Sequence, residues 1–155
     1  MLDTLACVVR VYNTDTNSWF EYFINNGTLE GLHIEYHYNG IIHMQTPYID
    51  GVELGWYKCY YDNFDLCEEY YYLNGKINGI YKLYWRNGNL RFKQYFINGL
   101  MCGKCYSYRT NGTIIKEYNY INGIMCGKIL LYRRNGTIEN EYDFINGIKQ
   151  LKNKN

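Results

Sequence analysis

"FINGLMCGKCYSYRTNG" (residues 96–112) is followed, after seven residues, by "YINGIMCGKILLYRRNG" (residues 120–136). Each copy carries Asn-Gly, a second Gly four residues on, a Tyr, and Asn-Gly again. The spacing extends over most of the chain. Gly31, Gly55, Gly79, Gly103 and Gly127 stand 24 residues apart, and so do Gly27, Gly51, Gly75, Gly99, Gly123 and Gly147. Gly40, Gly88, Gly112 and Gly136 form a third series, with Phe64 in its one vacant slot. Tyr12, Tyr36, Tyr60, Tyr84, Tyr108 and Tyr132 form a fourth. A period of this length marks a repeat array. Cys7 takes the Gly slot of a leading copy, so six units run near 7–30, 31–54, 55–78, 79–102, 103–126 and 127–150, within one array over 1–150 and before a polar tail at 151–155.

Within a unit, "IYKLYW" (80–85) leads to Arg86-Asn87-Gly88, then "NLRFKQYF" (89–96), then Ile97-Asn98-Gly99. Asn-Gly between two aromatic and apolar runs is the strongest short signal for a β-hairpin. No apolar spacing of i, i+3, i+4, i+7 persists, so no helices are expected. A three-residue loop, a type I turn closed by Gly at positive φ, pairs each Tyr of the fourth series with Ser18, Ile42, Leu66, Leu90, Ile114 and Ile138 in turn. A two-residue loop pairs it instead with Trp19, His43, Cys67, Arg91, Ile115 and Glu139. A slip of one residue exchanges the faces. Only the longer loop gathers the apolar columns, and it sets Ile24, Tyr48, Tyr72, Phe96, Tyr120 and Phe144 on the Tyr face. One Gly then closes each hairpin, and the other two serve the return turn to the next unit. The expected fold is all-β: an elongated single-layer antiparallel sheet of about twelve strands, roughly 55–60 Å long at the usual strand spacing.

The pattern G-x-x-x-x-Y-x-x-N-G-x-[IL], then aromatic-[IL]-N-G-x-x-x-G, resembles the MORN repeat in its variant form. The resemblance implies an extended antiparallel sheet. It also implies a binding or scaffolding role, tied in some members to membranes or phospholipids and in some bacterial ones to antitoxin-type proteins. Variant repeats are frequent in giant viruses, and the excess of Asn, Ile, Tyr and Lys suits an AT-rich genome of a virus or a low-GC bacterium.

Composition agrees with an exposed sheet. Of 155 residues 20 are Tyr, a side chain with a large apolar body and a wet tip. The net charge is +1, but it is divided unevenly. Residues 1–79 hold three basic and eleven acidic side chains, and residues 80–155 hold thirteen basic and four acidic. Such asymmetry points to oriented assembly or to an anionic partner for one end. No apolar run approaches a membrane span, and "MLDTLACVVRVY" has no positive n-region, so an intracellular chain with six free thiols is expected.

Three departures stand out. Phe64 occupies a Gly slot. Pro47 removes a ladder donor, which makes residues 45–65 the expected bend. "CVVRV" (7–11) is apolar on both faces, as a buried or covered strand would be. The tail "LKNKN" (151–155) reads as a solvated end that blunts the other edge.

Candidate chemistry is sparse. All three histidines lie in "HIEYHYNGIIH" (33–43). His33, Glu35 and His37 alternate along one strand, and the chosen register sets His43 opposite Glu35, a candidate metal set of imidazoles and a carboxylate. The other reading is a polar sheet face. Cys102-Gly-Lys-Cys105 is a C-x-x-C pair without the second pair of a zinc knuckle or a βαβ context, and Cys126 lies one hairpin away, beyond disulfide reach. Small thiols filling turns explain them. Arg86, Arg109, Arg133 and Arg134 flank successive Asn-Gly turns, with Lys104 and Lys128 at the same end, a candidate surface for an anionic partner. The plain alternative is a solvated rim. No nucleophile elbow, P-loop or catalytic histidine arrangement occurs.

The reading is a non-enzymatic interaction scaffold without cofactor or small-molecule substrate. It binds protein, a second copy included. An anionic membrane surface and an antitoxin-type partner are the alternatives, and nucleic acid is not expected.

Overall fold

The computed structural model describes residues 6–150. They form fifteen antiparallel strands in hairpin order, with no helix among the described residues. The chain divides into two compact units, Met1–Lys76 and Ile77–Asn155.

The first unit holds β1 (Cys7–Asn13), β2 (Ser18–Asn25), β3 (Thr28–Tyr36), β4 (Ile42–Ile49), β5 (Val52–Glu53), β6 (Gly55–Tyr60) and β7 (Leu66–Leu73). β8 (Lys76–Ile77) lies at the division. The second unit holds β9 (Gly79–Tyr84), β10 (Leu90–Ile97), β11 (Leu100–Tyr108), β12 (Ile114–Ile121), β13 (Ile124–Tyr132), β14 (Ile138–Ile145) and β15 (Ile148–Lys149). Neighbours in sequence pair throughout the second unit. In the first, β4 pairs with both β5 and β6, because the chain breaks step at Leu54. Twelve long strands are thus the expected ones, and the three two-residue strands are added by the return turns.

The hairpin tips follow the sequence. Tyr36 pairs with Ile42, Tyr60 with Leu66, Tyr84 with Leu90, Tyr108 with Ile114 and Tyr132 with Ile138. At the Arg109 tip the Gly112 N–H donates to the Arg109 carbonyl at 2.9 Å, and the Arg109 N–H donates to the Thr113 carbonyl at 2.8 Å. This is a type I turn closed by Gly at φ 83°.

The face assignment fails one residue further on. Tyr36 pairs with Ile42, but Glu35 pairs with Met44, so His43 is an extra residue in a bulge. Cys67, Arg91, Ile115 and Glu139 are the extra residues of the other hairpins. One added residue moves everything beyond it to the opposite face. Tyr48, Tyr72, Phe96 and Tyr120 therefore leave the Tyr36 face. Their rings meet His33, Tyr57, Tyr81 and Tyr118 at 6.4, 6.4, 6.0 and 5.8 Å between centroids.

That opposite face carries the core, along a column of directly paired residues. The pairs are His33 with Thr46, Tyr57 with Tyr70, Tyr81 with Gln94, Cys105 with Tyr118 and Ile129 with Tyr142. Thr46, Tyr70, Gln94, Cys105 and Ile129 are the buried members. Tyr57 and Tyr70 stack at 4.4 Å, and burial raises both phenol pKa values.

The series Gly31, Gly55, Gly79, Gly103 and Gly127 does not serve the return turn. Tyr95 pairs with Cys102 but Lys93 with Tyr106, so Gln94 alone faces Gly103, Lys104 and Cys105. Gly103, at φ 73°, bends the strand into this wider bulge. The Gln94 amide fills the gap, donating from Nε2 to the Tyr95 carbonyl at 2.8 Å and to the Cys102 carbonyl at 3.1 Å. The return turn itself needs only its two residues, such as Asn98 and Gly99 with φ of 50° and 81°.

β1 also departs from expectation. It pairs only with β2, and Val8 and Val11 are exposed, so "CVVRV" is an edge strand among the described residues. Its register with β2 runs without a bulge from Cys7–Ile24 to Asn13–Ser18, so Tyr12 pairs with Trp19 and not with the expected Ser18, because a four-residue tip replaces the Gly-closed turn. The tail "LKNKN" lies outside the described residues.

Candidate interaction surface

The histidine hairpin brings three of its four singled-out side chains together. His43 Nδ1 lies 3.8 Å from Glu35 Oε2, and the His37 and His43 rings are 4.3 Å apart. The partner of Glu35 across the strands is Met44, not His43, yet the bulge still turns His43 toward Glu35. His33 packs elsewhere, against the Phe20 and Tyr22 rings at 5.9 and 5.7 Å. Desolvation lowers its pKa below 6.5, opposed in part by Glu35. Among the described residues no three His, Cys, Asp or Glu side chains are placed to hold a metal ion.

His37 has a defined task. Its Nε2 lies 3.0 Å from the Tyr60 carbonyl, the backbone oxygen of the next repeat's Tyr. The residue in the same slot of other repeats makes the same bond. Trp85 Nε1 donates to the Tyr108 carbonyl at 3.1 Å, and Arg109 Nη2 to the Tyr132 carbonyl at 2.6 Å. Imidazole, indole and guanidinium share only an N–H at the end of a flat group. The slot selects a donor, not a charge.

This changes the status of the basic residues. Arg109 also donates from Nη1 to the Ile114 carbonyl at 2.6 Å, and Arg133 Nη1 to the Ile138 carbonyl at 3.2 Å. Lys104 and Lys128 bond Glu117 and Glu141 at 2.6 Å across the strands, which raises both lysine pKa values. Arg86 sits in the Trp85 turn. Arg134 joins Trp85, Arg109, Thr110, Asn111 and Ile115 around an open groove of about 410 Å³. The six residues singled out from the sequence do not form one free cationic row.

The cysteines are free thiols. Cys105 is fully buried, and desolvation pushes its thiol up to about 11. Cys126 accepts a hydrogen bond from Asn119 Nδ2 at 3.2 Å.

A different surface lies at the return turns of the second unit. Ile97 pairs with Leu100, Ile121 with Ile124 and Ile145 with Ile148, each pair clasping an Asn-Gly turn. All six are exposed, from 47% for Ile97 to 69% for Ile148. Successive turns are tied, since the Gly123 N–H donates to the Met101 carbonyl at 2.8 Å and the Gly147 N–H to the Met125 carbonyl at 2.9 Å. A Cβ on Gly123 would lie 3.5 Å from Leu100 Cδ2, so each turn packs against the aliphatic residue before it. The result is a continuous aliphatic row. In the first unit the equivalent positions hold polar Asn25 and Thr28 and aliphatic Ile49 and Val52. The signal was present in the sequence, as aliphatic residues on both sides of Asn98-Gly99, Asn122-Gly123 and Asn146-Gly147. A reading that looked for charges and metal ligands passed over it.

Three segments, residues 29–50, 77–98 and 101–122, match the model of the MORN repeat variant. Residues 53–74 and 125–146 stand in the same phase of the period. MORN repeats form a non-catalytic family and generally mediate protein or membrane contacts. No curated protein matches the chain.

Proposed function

We propose that the chain is a non-enzymatic interaction module that binds protein through the aliphatic row of its second unit, and that its first partner is a second copy of itself. The row carries the reading. Six half-exposed aliphatic side chains in three registered pairs are a contiguous apolar surface of the kind that marks interaction sites. Neutral Asn-Gly turns rim it, which suits a protein surface better than anionic lipid.

Charge supports a second copy. Residues 1–76 carry three basic and eleven acidic side chains, and residues 77–155 carry thirteen basic and four acidic. The first unit of one molecule and the second of another therefore attract, which speeds encounter and sets orientation. The membrane alternative loses support, because Arg109, Lys104 and Lys128 already have partners within the unit.

Sedimentation velocity over a protein concentration series tests this. Concentration-dependent association is expected, weakened at least tenfold by Ile121→Lys with Ile124→Lys and reduced at high salt. A monomer at every concentration, or association that ignores the two substitutions, overturns the reading. Flotation with anionic vesicles that depends on Arg134 would transfer the module to the membrane class.

A further inference from the structure

The bulges have a chemical consequence in the β6–β7 hairpin. Tyr60 pairs with Leu66 and Cys59 with Glu68, leaving Cys67 as the extra residue. The equivalent residues of the preceding hairpin are Glu35 and His43, whose side-chain tips meet at 3.8 Å. In β6–β7 the same two slots hold thiols: the bulge sets Cys67 beside Glu68, the residue that Cys59 faces, and Cys67 is among the neighbours that raise the Cys59 pKa. The Tyr57 hydroxyl lies against Cys59 and donates to Met44 Sδ at 3.7 Å, which holds this side of the pair in place. Both cysteines are half-buried, so a small reagent can reach them.

The other cysteines lack such a neighbour arrangement. Cys7 is exposed on β1, Cys105 is fully buried, and Cys102 and Cys126 lie on β11 and β13 with β12 between them. Two strand spacings, about 10 Å, exceed the reach of a disulfide. In the β6–β7 bulge Cys67 and Glu68 together oppose Cys59 on the neighbouring strand, and one strand spacing of about 4.8 Å lies within the reach of a disulfide.

We propose that Cys59 and Cys67 are a two-electron oxidation site that takes a hydroperoxide and closes a reversible disulfide between β6 and β7. In the first step the Cys67 sulfur attacks the terminal peroxide oxygen. The O–O bond breaks, the thiol becomes a sulfenic acid, and the peroxide leaves as alcohol, or as water from hydrogen peroxide. In the second step the Cys59 sulfur attacks the Cys67 sulfur. The S–S bond forms, the S–O bond breaks, and hydroxide leaves with the Cys59 proton as water. Two thiols are oxidised and one peroxide is reduced.

Burial and the neighbouring Cys67 and Glu68 push the Cys59 thiol up to about 11, which makes it the poorer first nucleophile and leaves the attack on peroxide to Cys67. The closed loop is short and contains Phe64, so the bond fixes the tip whose backbone departs furthest from ordinary side-chain preference.

The test uses the full chain. It is treated with excess hydrogen peroxide, blocked with N-ethylmaleimide and digested with trypsin, and the peptide from Cys59 to Lys76, which carries both thiols, is weighed. The expected peptide has lost two hydrogens and carries no maleimide, free thiols fall from six to four, and dithiothreitol restores them. In Cys59→Ser, dimedone is expected to trap a sulfenic acid on Cys67. A doubly maleimide-labelled peptide after the other thiols have oxidised overturns the proposal, and so does a product in which Cys59 or Cys67 is linked only to Cys7 of another molecule. The wild-type mapping decides the matter even if the variant folds poorly.

Discussion

The two units build the same hairpin from different residues. In the second, Gly88, Gly112 and Gly136 close the tips at φ 80–83°. In the first, Gly40 does so at 80°, Phe64 adopts φ 71°, and the β1–β2 tip uses the four residues Thr14–Asn17 with Asn17 at 53°. Phe64 is 70% exposed, so its ring gains little by being there. The pairing on either side, Tyr60 with Leu66 and Tyr61 N–H to the Asp65 carbonyl at 2.8 Å, holds the turn in a shape the residue itself disfavours. Neighbouring strands impose the backbone, and Gly only makes it cheap.

Substitutions in the two units sharpen this contrast. The largest effect is expected at Gly55, in the first unit, at φ 126° with an added Cβ 2.9 Å from Pro47 Cγ. Gly55→Ala should lower the unfolding free energy by about 3 kcal/mol, through strain and overpacking together. Gly103, the matching residue of the second unit, has open space around it, so Gly103→Ala should cost only about 1 kcal/mol. Equal losses in denaturant titrations would show that Pro47 plays no part.

Gln94 comes next. It is fully buried, its Oε1 has no hydrogen-bond partner, and its Nε2 serves two carbonyls. Gln94→Leu leaves the Cys102 and Tyr95 carbonyls without that donor and should cost about 2 kcal/mol. Accelerated amide exchange confined to β10 and β11 is the local signature. The first unit has Thr46 and Tyr70 at this place in the column, neither of them an amide.

Phe64→Gly tests the tip comparison from the other side. It relieves the positive φ and removes an exposed ring, so stability should rise by about 1 kcal/mol, or about 2–4 °C in Tm. A loss would mean that the ring has a packing role.

The smallest effect is a pH dependence from His33. Its folded-state pKa lies below the unfolded value of 6.5, so the unfolded chain binds the proton more readily. The contribution is therefore complete above pH 6.5 and is lost as pH falls through the folded-state value. Glu35 opposes the shift, and the Phe20, Tyr22 and Tyr48 rings supply the desolvation. His33→Phe should flatten the stability curve below about pH 6.5, as followed by thermal unfolding.

The tips were legible because Asn-Gly has few ways to turn between two strands, and the Tyr–Ile and Tyr–Leu pairs followed from loop length. The bulges were not legible. His43, Cys67, Arg91, Ile115 and Glu139 share neither size, charge nor β-propensity, so nothing in that column announces an extra residue. The face carrying Tyr48, Tyr72, Phe96 and Tyr120 was misplaced as a result. The candidate sites suffered in a related way. Arg109 looks like a free cation beside a turn until Trp85 and His37 are seen making the same bond to the next repeat.

By itself the sequence determined the period, the hairpin tips, the antiparallel order and the excess of opposite charge in its two halves. These follow from local turn geometry and composition, which a single strand already contains. Only the tertiary structure decided which face is the core, which polar groups are spent on carbonyls, and which thiols share a bulge. An extra residue exists only relative to the strand beside it, and a donor is free or bound only when its acceptor is in place.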